Sequence, residues 1–118
     1  MGISAVVYMN PQRRKAASVV KLRKEAGQIL KGMRERRGLT QRELAEKVGF
    51  DYYTFIAQIE AGRGRIPPER YAAYARALDV PSREFVRTLL KFYDPVTYSH
   101  LFGDGLYDPG SAEGRGAL

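Results

Sequence analysis

Cysteine is absent from this 118-residue chain, and histidine occurs once, at His100. The first absence removes disulfides, thiolate metal sites and cysteine nucleophiles. A lone histidine cannot build a zinc site here, and a Ser-His-Asp arrangement would rest entirely on His100, which reads as a solvated or helix-end residue. Long apolar runs are also missing, and nothing approaches the roughly 20 residues that a membrane span requires. The apolar stretch 3–9 is too short for the core of a secretory signal, and basic Arg13, Arg14 and Lys15 follow it instead of preceding it. No carboxylate pair or phosphate-cradling loop is present, because Gly62-Arg63-Gly64 lacks the preceding strand and further glycine that such a loop needs. The expectation is a cytoplasmic chain that is not an enzyme, holds no cofactor or metal, and does not enter a membrane.

What is present is positive charge, unevenly placed. The net charge is +7, yet residues 1–37 hold ten Lys and Arg against Glu25 and Glu35, while residues 38–118 hold ten against eleven acids. All the excess therefore lies in the first third. Such asymmetry suits a polyanion, with nucleic acid the first candidate and anionic membrane the second; the alternative is a solvated basic helix face.

With 44% hydrophobic residues the chain can bury one compact core. Residues 1–12 read as an extended lead-in, with a short strand over 4–9 conceivable but partnerless. Leu22, Ala26, Ile29, Leu30 and Met33 then recur at helical spacing until Gly38, and this helix can start as early as Gln12. Thr40 and Glu43 form a capping box that starts a second helix, whose stripe is Leu44, Ala45 and Val48. Gly49 supplies a left-handed turn, and a third helix follows at once with Phe55, Ile56 and Ile59 as its apolar positions. Pro68 opens a fourth helix carrying Tyr71, Tyr74, Ala75 and Leu78. Residues 82–93 form a fifth, with a broad arc of Phe85, Val86, Leu89, Leu90, Phe92 and Tyr93, and residues 96–102 form a short sixth. From Gly103 the glycine-rich segments Gly-Asp-Gly, Asp-Pro-Gly and Gly-Arg-Gly predict a disordered tail. The predicted organisation is a basic N-terminal arm, 1–21, flexible or part helical; a helical domain, 22–102; and a tail, 103–118.

The run Leu39-Thr-Gln-Arg-Glu-Leu-Ala-Glu-Lys-Val-Gly49, then Ile59-Glu60-Ala61-Gly62 and Tyr74-Ala-Arg-Ala-Leu78-Asp-Val80, resembles the lambda-repressor-like helix-turn-helix family of Cro/XRE type. The resemblance covers residues 26–90. It implies an all-α, five- to six-helix domain that binds double-stranded DNA, usually as a homodimer, with the third helix, about 52–61, in the major groove. It implies a transcriptional regulator, most simply a repressor. Gln41 matches a glutamine that braces against phosphate, and Tyr53, Thr54, Ala57 and Gln58 match the outward, base-facing positions.

The chain also departs from that pattern. One extra residue lies between Gly49 and the third helix, so the segment 50–52 lengthens the turn, and Asp51 is a candidate cap. Tyr52 and Tyr53 make the reading face aromatic, unless either is partly core; Phe55 and Ile56 are assigned to the core. Gln58 is the one side chain of this helix able to make a bidentate adenine contact. Arg63 and Arg65 flank a glycine that allows close approach to phosphates. Arg13, Arg14, Lys15, Lys21, Arg23 and Lys24 could follow the DNA backbone as an arm. The competing readings are a protein-interaction module that keeps the fold, with an unidentified protein partner, and an antitoxin or phage-type autorepressor.

Overall fold

The computed structural model describes the backbone of residues 11–103 and the side chains from residue 18. The strand considered at 4–9 and the tail beyond 103 lie outside the described residues. Among the described residues six α-helices follow one another: α1 (Pro11–Arg36), α2 (Gln41–Val48), α3 (Thr54–Glu60), α4 (Tyr71–Ala77), α5 (Ser82–Tyr93) and α6 (Pro95–Phe102). A 3-10 turn, Pro68–Arg70, leads into α4, and no strand occurs among the described residues. No helix described is long and apolar enough to cross a membrane.

Helix α1 runs unbroken through residue 22, where composition placed the start of the domain, so residues 11–21 are helical. It packs against α5 and α3, α2 packs against α3 and α4, α5 packs against α4, and α6 lies on α5. The core between them holds Leu30, Leu44, Ile56, Ile66, Tyr74 and Phe85, all essentially inaccessible. Each such side chain contributes roughly 1.5–3 kcal/mol. Ile29, placed on the inner stripe by spacing, is instead exposed.

The helix ends obey local chemistry. Thr40 Oγ1 accepts from the Glu43 N–H at 3.0 Å and Glu43 Oε1 accepts from the Thr40 N–H at 2.8 Å, closing the expected capping box. At the start of α6, Asp94 accepts from the Thr97 hydroxyl and the Thr97 N–H. Both carboxyls are held below the ordinary range, Glu43 by the Thr40 backbone and Asp94 by the Thr97 hydroxyl. Gly49 adopts φ +90°, and its N–H reaches the carbonyls of Ala45 and Glu46.

Two features clamp α1 to α3. Gly27 is buried where a Cβ would run into the backbone carbonyls of Ile59 and Glu60, so the helices cross with their backbones in contact. Beside that crossing, the Arg34 guanidinium makes a two-pronged ion pair with Glu60, Nε to Oε2 at 2.7 Å and Nη2 to Oε1 at 3.0 Å. Arg34 Nη1 also donates to the Leu39 carbonyl, fixing the link into α2. The Glu60 hydrogen bonds raise the Arg34 pKa still further. Tyr74 stacks on Phe85 at 5.7 Å, and its hydroxyl is buried with no hydrogen-bond partner among the described residues.

Three outcomes follow for equilibrium unfolding in urea. Arg34→Met should cost about 3–5 kcal/mol by stranding the Glu60 carboxylate, and the pair Arg34→Met, Glu60→Leu should recover most of that loss. Tyr74→Phe should be neutral or stabilising, since it removes a buried polar atom that gains nothing. The stability lent by the caps should be complete above about pH 5, clear of the ordinary carboxylate range, and be lost as pH falls through their lowered values. Glu43→Gln with Asp94→Asn should therefore flatten the acid limb of the stability curve.

Candidate nucleic-acid interface

Helices α2 and α3 are joined by residues 49–53, a longer link than the three-residue turn expected from spacing. Asp51 does not cap α3. The N-cap is Tyr53, which makes no side-chain capping bond, and the Phe55 and Ile56 N–H groups are taken by the Tyr52 and Tyr53 carbonyls. The helix thus begins at Thr54 and ends at Glu60, inside the 52–61 span predicted. The turn is braced from a distance. Arg70 donates from Nη1 to the Val48 and Gly49 carbonyls, each at 3.1 Å, and its guanidinium lies over the Phe50 ring. Nothing local in the sequence announces that brace, because its partners lie more than 20 residues upstream.

On α3, Ile56, Ile59 and Glu60 face inward. Thr54 and Gln58 are exposed on the opposite side, Ala57 is half-buried at its edge, and Tyr53 is 39% exposed. Tyr52, in the turn, is 67% exposed and not core. Phe55, assigned to the core from its spacing, is 48% exposed. The helix is rotated toward Glu60, whose ion pair with Arg34 takes the inner position that a purely apolar stripe gives to Phe55. A buried glutamate at helical spacing from Ile56 was the signal that could have found this.

The flanking groups are held rather than loose. Gln58 Oε1 accepts from Arg63 Nε at 3.1 Å, while the Arg63 N–H bonds to the Gln58 carbonyl. A carbonyl oxygen has two lone pairs, so this buttress orients Gln58 without using up its capacity for a bidentate contact. The Arg42 guanidinium lies 4.5 Å from the centroid of Tyr53. Gln41 donates from Nε2 to Glu60 at 3.1 Å, leaving its second amide N–H for an outward partner. Arg65 turns inward. It donates to the Tyr71 hydroxyl at 2.8 Å and lies over the Tyr93 ring, so it is not brought together with Arg63.

Of the basic residues on α1, Lys21 and Lys24 are exposed. Arg23 is half-buried, 5.9 Å from the Tyr93 centroid. Arg13, Arg14 and Lys15 lie on the helix. Gly62, at φ +80°, abuts the backbone of Lys24 so closely that a Cβ there would stand 2.7 Å from the Lys24 Cα. The basic half of α1 is thereby joined to the end of α3. No grouping of three His, Cys, Asp or Glu side chains fit for a metal occurs among the described residues.

Two short helices set at a glycine turn, the second held by its inner face and offering polar and aromatic side chains outward, define a DNA-binding helix-turn-helix protein. A family model for the helix-turn-helix domain matches residues 25–89, and the chain belongs to that family. Among solved structures it is similar to the restriction-modification controller protein C.AhdI from Aeromonas hydrophila, with 32% identity over 58% of this chain and 97% of that one and a TM-score of 0.47. No curated protein matches it.

Because Gly62 is both left-handed and in contact with α1, Gly62→Ala should lower the thermal midpoint well beyond the effect of the same change at exposed Gly38, which has φ +71° but open space around it. Paired melts of the two variants check this.

Proposed function

We propose that the protein is a sequence-specific transcriptional regulator, a repressor, that lays α3 in the major groove of double-stranded DNA. The observation that carries this reading is the orientation of α3. Its inner face is committed to Ile56, Ile59 and the Glu60 ion pair, leaving Thr54 and the Arg63-buttressed Gln58 outward. Gln58 reads adenine, Thr54, Ala57 and Tyr53 contact neighbouring base edges, and Tyr52 and Gln41 reach phosphate oxygens. Arg63 and the Arg13 to Lys24 helix supply phosphate contacts and most of the affinity. Arg65 acts through the Tyr71 and Tyr93 contacts that shape the loop.

A single such domain buries little DNA surface, so the working species is a homodimer on half-sites about one helical turn apart. Of the apolar positions on the last two helices, Phe85 and Leu89 are core residues and unavailable for pairing. The dimer surface is the exposed C-terminal end of α6, Leu101 and Phe102. This is a cytoplasmic protein in that role.

Selection from a random duplex pool, followed by fluorescence anisotropy, tests the reading. Affinity should fall about a thousandfold between 50 and 200 mM salt if six phosphates are contacted. Gln58→Ala should relax preference at one base position, at a cost of about 1–3 kcal/mol. Uniform affinity for every duplex would sink it. Sedimentation of Leu101→Glu should give a monomer where the native chain is a dimer.

A further inference from the structure

Beside the reading face lies a groove of about 400 Å³ between the turn and the loop that follows α3. Phe50, Phe55 and Pro67 give it apolar walls, and Gln58 stands at its edge. The Phe50 and Phe55 rings are 5.3 Å apart, and Tyr52 extends the aromatic surface at 6.4 Å from Phe55. A phenylalanine 48% exposed on the recognition helix is apolar surface left in water at the point where a polar contact would be expected.

The groove is unsuited to a phosphate. Its lining carries no excess positive charge, since Asp51 and Glu69 offset Arg65 and Arg70, and both guanidiniums are anchored to the protein, Arg65 at the Tyr71 hydroxyl and Arg70 at the Val48 and Gly49 carbonyls. What a polyanionic duplex offers to an apolar wall in its major groove is the C5-methyl group of a pyrimidine. Phe55 and Gln58 are three residues apart on one helix and therefore side by side. A methyl seated on Phe55 belongs to the base pair that Gln58 reads or to the next one.

Building on the DNA-binding function proposed above, we infer that the Phe50–Phe55 groove is a reader of pyrimidine C5-methyl groups and sets specificity beside the Gln58 contact. The source is thymine in ordinary DNA, and 5-methylcytosine presents the same group.

The test uses the full chain and its selected duplex, with each thymine replaced singly by deoxyuridine and, in a second arm, each cytosine by 5-methylcytosine. One thymine within one base pair of the position relaxed by Gln58→Ala should lose about fourfold in affinity on removal of its methyl, the value of one buried carbon. Phe55→Ala should bind the thymine and deoxyuridine duplexes equally. Phe55→Leu, which keeps an apolar side chain, should retain part of the discrimination. A gain at one methylated cytosine, with no loss at any thymine, supports the groove and assigns the modified base as its source. Sequence-specific binding that is indifferent to every methyl overturns the inference while leaving the proposed function intact. So does a methyl dependence that survives Phe55→Ala. Failure to bind any duplex overturns both.

Discussion

The ion pair between Arg34 and Glu60 is the constraint on which the remaining geometry depends. Its two prongs tie α1 to α3, the third guanidinium nitrogen holds the Leu39 carbonyl at the entrance to α2, and Gln41 adds a bond from α2 to the same carboxylate. Three helices thus meet at one buried charge. An apolar contact in that place could slide by a fraction of a helical turn at little cost. A fork-to-fork guanidinium–carboxylate contact cannot, because its hydrogen bonds are directional and the unpaired charge has no water to fall back on. The angular setting of α3 follows from this, and with it the choice of which side chains face outward.

The same constraint explains what was and was not legible in the chain. The capping box, the left-handed Gly49 and the stripe Leu44–Ala45–Val48 are local events, each governed by a few neighbouring residues, and they stand where the sequence puts them, while Pro68 opens a 3-10 turn that runs into the fourth helix. The rotation of α3 was not legible. Phe55, Ile56 and Ile59 make an acceptable apolar stripe until Glu60 is known to be buried, and its partner lies 26 residues upstream on another helix. The exposure of Phe55 follows from that distant partner, and the lie of Arg65 over Tyr93 joins the loop to α5, so no short window of sequence contains either.

Aromatic rings recur wherever the interface is held in place. Arg42 over Tyr53, Arg65 over Tyr93 and Arg70 over Phe50 are three guanidinium–ring contacts around α3 and its flanking loops. Each is worth roughly 0.5–2 kcal/mol and keeps a long cationic side chain in one place. The outer surface is therefore largely preorganised, and the loop 62–70 needs little ordering when it meets a ligand.

The contact between Gly62 and Lys24 has a mechanical consequence. It sits partway along α1, and the helix continues on its N-terminal side for a length on the order of 20 Å. A stretch carried on such a helix extends from a fixed point along one axis, where a loose tail would sweep a sphere. The backbone of that stretch keeps one bearing relative to α3, so the lateral offset between the two helices is fixed by the fold. A surface that touched both helices would have to match that offset in shape as well as in charge.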